Sequence, residues 1–99
     1  MASYDKIKNL LIITSDQKTA KNLAFQLERK KYNVFICLAD LKEIEQTIKE
    51  NSVEIVLILT DIKIQKREKI CKFLYTKFKN KVYFTWMTQE IWSLTNVNC

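Results

Sequence analysis

The chain has 99 residues, 17 basic and 11 acidic, with no histidine, no glycine, no proline and a net charge of +6. Without histidine there is no ordinary general base at neutral pH and no Ser-His or Cys-His nucleophile pair, which disfavours most hydrolase chemistry. Without glycine, neither a Gly-x-Gly-x-x-Gly turn nor a P-loop can form, because those backbones need a residue lacking Cβ.

At 47% apolar, the composition is that of a globular protein of one domain, 1–99. No run approaches the roughly 18 apolar residues that span a bilayer. The amino-terminal segment lacks the apolar middle of a secretory signal, which implies a cytoplasmic location. Cys37, Cys71 and Cys99 are odd in number and far apart, so they read as reduced thiols, packed at Cys37 and Cys71 and free at Cys99. No metal and no cofactor is expected.

Ile7 and Leu10–Ile13 predict a first strand. Thr14-Ser15-Asp16-Gln17 follows as a capping box with Thr14 at the N-cap, opening a helix. Ala20, Leu23, Ala24 and Leu27 keep the i, i+3, i+4, i+7 spacing of one apolar face, and the helix is expected to end near Tyr32-Asn33. Val34–Leu38 predicts a second strand. Asp40-Leu41-Lys42-Glu43 is a second capping box, opening a helix with Leu41, Ile44 and Ile48 on one face.

Val53–Leu59 has six aliphatics in seven residues, too short for a free helix and too apolar for a half-exposed strand, so it predicts a strand buried on both faces. Groups that bind or react in such sheets sit just past the carboxyl ends of the strands, which singles out Asp61. A third helix is predicted from about Gln65 to Lys79, burying Ile70, Cys71, Leu74 and Phe78, and Val82–Met87 reads as a fourth strand. Thr88–Trp92 is expected to start a last helical turn and Asn96–Cys99 to fray. Left-handed backbone is expected at Asn33, Asn51 and Asn80, each just after a predicted helix. The alternation predicts an α/β fold: a three-layer sandwich around a four-stranded, mainly parallel sheet in the order 2-1-3-4.

Asn9-Leu-Leu-Ile-Ile-Thr-Ser-Asp16, the helix followed by Lys31-Tyr-Asn-Val34, and Val53–Ile62 together resemble the first three strands of a response-regulator receiver domain. The resemblance spans about residues 6–88, in spacing and hydrophobic pattern, and implies a truncated flavodoxin-like fold. Receivers hold magnesium with an acidic pair after the first strand and accept a phosphoryl group on an aspartate ending the third. Here the acidic pair aligns with Thr14 and Ser15, leaving only Asp16 nearby. If Glu54 matches the early acidic residue of the third strand, the acceptor position falls on Leu59 and Asp61 lies two residues late. The receiver's lysine after a fifth strand has no counterpart, and its switch residue falls on Thr85 or Thr88. Too few carboxylates remain to hold a hard divalent cation, so Asp16 and Asp61 read as a vestigial pocket with cap and turn roles. The resemblance therefore implies a degenerate pseudo-receiver, without enzymatic activity.

Positions 61–81 carry eight basic residues against two acidic ones, and the rest of the chain has nine of each, so the whole imbalance lies on the third helix and its flanks. Lys69, Phe73 and Lys77 form one i, i+4, i+8 ridge with Lys66 beside it, which predicts an aromatic exposed among ammonium groups unless something covers it. Such a ridge fits nucleic acid or an acidic protein surface, against a plain solvated lysine face. Only Arg29 and Arg67 are arginines, which favours protein over nucleic acid. The fourth strand is expected to form an apolar sheet edge bearing Tyr83 and Trp86, open to self-association or a partner unless the following segment covers it. The sequence thus reads as a regulatory or adaptor module acting by protein–protein interaction. A small nucleic-acid-binding accessory protein is the alternative, and an atypical phosphoacceptor the third reading.

Overall fold

A computed structural model of the chain describes residues 7–87. The elements run β1 (Lys8–Thr14), α1 (Gln17–Arg29), β2 (Tyr32–Leu38), α2 (Leu41–Asn51), β3 (Ile55–Leu59), α3 (Ile64–Phe78), one 3₁₀ turn (Lys79–Lys81) and β4 (Tyr83–Met87). The four strands are parallel in the order β2-β1-β3-β4, so the predicted α/β fold class and strand order are those of the protein. The Thr88–Cys99 expectations lie outside the described residues.

Alternation along β1 sends side chains to opposite faces and defines two apolar layers. Leu10 and Ile12 meet Ala20, Leu23, Ala24 and Leu27 of α1. Leu11 and Ile13 point the other way, into a layer with Ile44 and Ile48 of α2 and Ile70, Leu74 and Phe78 of α3. The chain turns toward one side of the sheet through α1 and toward the other through α2 and α3, as same-handed crossovers require. β1 and β3 are interior and buried on both faces, which explains their nearly unbroken aliphatic runs. Among the described residues, no helix is long and apolar enough to cross a membrane.

Several local expectations are corrected. Asp16, rather than Thr14, caps α1, because β1 continues through Thr14; the Asp16 carboxylate accepts from the Lys18 amide at 3.1 Å. The helix ends at Arg29 instead of near Tyr32, since Tyr32 and Asn33 already pair with Lys8 and Asn9. Asp40 does cap α2, but its N2 amide, Lys42, is the donor, and Glu43 reaches past the cap to the Leu38 amide at 3.3 Å. Left-handed backbone falls on Lys31, Ser52 and Lys79 instead of Asn33, Asn51 and Asn80. The first two of these asparagines serve hydrogen bonds instead. Asn33 donates to Asn9, and Asn9 donates to the Asn51 carbonyl, joining the amino ends of β1 and β2 to the end of α2.

Candidate functional site

In an open parallel sheet of this order, the chain departs in opposite directions from β1 and β3, leaving a crevice at their carboxyl ends. Asp61 stands there, two residues past β3. Its carboxylate accepts the hydroxyl of Thr14, the last residue of β1, at 2.6 Å, and the Ser15 amide at 3.3 Å to each oxygen. The Ser15 hydroxyl donates to the Asp61 carbonyl at 3.1 Å. The Thr14 hydroxyl also accepts from the Asp16 amide at 3.1 Å, so this fully buried group binds on both sides. Asp61 thus latches the loop after β3 to the loop after β1.

Asp16 is committed elsewhere: its second carboxylate oxygen accepts from the Thr19 hydroxyl at 3.0 Å, within the first turn of α1. Asp16 and Asp61 sit at one end of the sheet but take different donors. Among the described residues, no group of three or more His, Cys, Asp or Glu side chains could hold a metal ion.

Beside the latch lies a cavity of about 630 Å³, floored by Leu38, Ala39 and Ile62 and walled by Lys63, Lys66 and Lys69 of α3 and its approach. A second cavity of about 560 Å³ shares Ala39, Asp40, Lys66 and Lys69 and continues to Leu41 and Ile70. The lysine ridge therefore faces the α2 side. Lys66 and Lys69 line this groove, while Lys77 pairs with Glu45 of α2 at 3.5 Å. Glu45 also pairs with Lys49 at 2.9 Å; the Lys49 hydrogen bond, with Lys77 adding to it, holds its carboxyl below the ordinary glutamate value.

Phe73 is not the exposed aromatic that its place on the ridge predicts. It is half-buried against the α2/α3 layer, its ring edge-on to Phe78 at 6.4 Å. Tyr75 takes the exposed role at 67% accessibility, with the exposed Lys72 three residues before it in α3 and the exposed Lys79 in the 3₁₀ turn after the helix.

At the β4 rim, Tyr83 and Trp86 lie on opposite faces, as their odd separation requires: Tyr83 pairs with Ile55 and Trp86 with Ile58. Tyr83 is exposed. The Trp86 indole N–H donates to Cys71 Sγ at 2.8 Å, and the Arg67 guanidinium stacks 4.5 Å from the ring centroid. Arg67 Nε also donates to the Ile62 carbonyl at 2.9 Å, tying α3 to the loop below the latch. Hydrophobic patterning gave no sign of this clamp, since its members come from different elements.

Cys37 is buried in β2, and burial, together with the nearby Glu43 and Asp40 carboxylates, pushes its thiol up to about 12. Such a thiol stays protonated and unreactive at neutral pH. The fold and this crevice define an α/β protein of flavodoxin-like strand order with its switch point bridged by an aspartate. Comparison with protein-family models, curated proteins and solved structures found no match to the chain.

Proposed function

We propose that this protein is a non-catalytic regulatory or adaptor module, resembling a degenerate receiver, that works by binding another protein. The observation that carries the reading is the employment of the two aspartates. Asp61 is occupied by Thr14 and Ser15, and Asp16 by the first turn of α1, so both serve the scaffold where a phosphoacceptor site would need free carboxylate oxygens. The surface beside them sets the exposed Leu38 next to Lys63, Lys66 and Lys69, apolar area and positive charge that a complementary protein surface can cover. Self-association through the exposed side of β4 belongs to the same reading.

Incubation with acetyl phosphate and magnesium, followed by intact-mass and peptide mass spectrometry, tests it. The expected result is an unmodified chain; a stoichiometric phosphoryl adduct on Asp61 overturns the non-catalytic reading in favour of an atypical phosphoacceptor. Static light scattering over a dilution series reads the self-association.

Nucleic-acid binding stands as a second reading because Tyr75 is exposed between Lys72 and Lys79, an arrangement that suits base stacking with phosphate neutralisation. A salt-sensitive mobility shift with single-stranded DNA, lost on Tyr75→Ala with Lys72→Glu, decides for it.

A further inference from the structure

We infer that the groove between the first turn of α2 and the α3 wall is a docking site for a short acidic segment of a partner protein bearing at least one large apolar side chain. This rests on the protein-binding reading above and names its site and the chemistry of its occupant.

Two observations carry it. The first is apolar. Leu38, at the end of β2, and Leu41, at the start of α2, remain 43% and 39% exposed, Leu38 lining the first of the two adjoining cavities and Leu41 the second. Covering them would remove from water area that folding itself leaves wet, and the adjoining 630 and 560 Å³ are room enough for a side chain.

The second is electrostatic. The fold supplies a carboxylate partner, Glu45, for Lys77, yet among the described residues neither Lys66 nor Lys69 has one. Both line each cavity, with Lys63 at the near end. The two acids of the groove offset them only in part: Asp61 accepts from Thr14 and Ser15, and Asp40 from the Lys42 amide that it caps. The positive wall is α3 and the apolar floor runs alongside it, so an occupant with carboxylates on one side and an apolar side chain on the other satisfies both. A polyanion alone satisfies only the wall, which is why a protein segment is favoured over nucleic acid.

The test uses the full chain and a fluorescein-labelled peptide of alternating Asp or Glu and Leu or Phe, read by fluorescence anisotropy. Competitors are an unlabelled polyglutamate of equal length and a single-stranded oligonucleotide. Two charge-matched double variants are compared: Lys66→Glu with Lys69→Glu in the groove, and an outer pair, Lys72→Glu in α3 with Lys79→Glu in the 3₁₀ turn after it, both exposed and lining neither cavity. Circular dichroism melting confirms that each is folded, and Leu41→Ser supplies a groove variant that leaves charge unchanged.

The groove pair is expected to weaken binding at least about tenfold and Leu41→Ser several-fold, while the outer pair stays within about twofold. Polyglutamate is expected to compete poorly. Equal loss in both pairs, or full competition by polyglutamate or the oligonucleotide, overturns the groove assignment in favour of diffuse charge or nucleic acid. Panning a random peptide library on the same protein separates this from the broader reading. Selected peptides indifferent to the groove variants sink the groove and leave protein binding standing, whereas failure to select any peptide sinks both.

Discussion

The Thr14 hydroxyl donates to the Asp61 carboxylate at 2.6 Å, joining the last residue of β1 to the loop after β3 across the crevice of the sheet. Thr14 is fully buried and also accepts from the Asp16 amide, so removing its oxygen strands partners at both loops. Thr14→Val, equal in shape, should therefore lower stability by about 1–3 kcal/mol, read as the urea midpoint. Asp61→Asn keeps an acceptor oxygen for the hydroxyl and should cost less. If Thr14→Val is as stable as the parent, the latch contributes nothing.

Cys37 makes stability depend on pH at the alkaline end. Burial first, then the Glu43 and Asp40 carboxylates, raises its thiol from 9.0 to about 12. Between those values the unfolded chain has lost a proton that the folded chain retains, so stability is fully present below pH 9 and falls as pH rises toward 12. In a Cys99→Ser background at neutral pH, Cys71 should react with a thiol reagent well before Cys37. Cys37→Ala should flatten the alkaline part of the pH–stability curve, and an unchanged slope would assign that part to other groups.

Arg67 stacks on Trp86 and donates to the Ile62 carbonyl, holding β4, α3 and the latch loop together. Losing both contacts in Arg67→Ala should cost about 1–2 kcal/mol. Arg67→Lys keeps the charge but not the planar stacking, and should recover only part of it. With Trp92 replaced by Phe, Trp86 emission reports the change directly; emission identical to the parent would contradict the stacked geometry.

Glu45 bridges α2 to α3, with Lys49 at 2.9 Å and Lys77 at 3.5 Å. Its carboxyl is lowered below 4.5, so its contribution to stability is present above that pH and is lost as pH falls through the lowered midpoint. By carbon-detected NMR titration, Lys49→Met should return the midpoint further toward the ordinary value than Lys77→Met does, because the Lys49 hydrogen bond dominates the shift.

A chain without glycine must place other residues in left-handed backbone, and Lys31 at φ 72° and Ser52 at φ 50° do so. Lys31→Gly and Ser52→Gly should each stabilise by up to about 1 kcal/mol, since relief of the Cβ clash outweighs the added freedom of the unfolded chain. Denaturant midpoints of the two variants, singly and together, should add, because Lys31 follows α1 and Ser52 follows α2.

Much of the architecture was legible before any coordinates. Aliphatic runs such as Leu10–Ile13 can be buried on both faces only inside a sheet, and the spacing of Ala20, Leu23, Ala24 and Leu27 allows one face of a helix. Alternation of such segments, with same-handed crossovers, leaves few strand orders, and 2-1-3-4 is among them. Phe73 shows where that reading stops: its place on a lysine ridge predicts exposure, and only the neighbouring Phe78 ring and the layer above β3 show that it is covered.

The candidate site divides along the same line. The sequence by itself determined that Asp61 would stand at the carboxyl end of β3 and that the excess charge would lie on α3, because both follow from local order and counting. Only the tertiary structure decided that Asp61 would be held by Thr14, 47 positions away, that Lys77 would be neutralised by Glu45, and that Lys66 and Lys69 would line a groove with Leu38 and Leu41. Periodicity specifies which face of a helix turns inward; the neighbour on its flank is set by strand order, which brings distant segments within hydrogen-bonding reach.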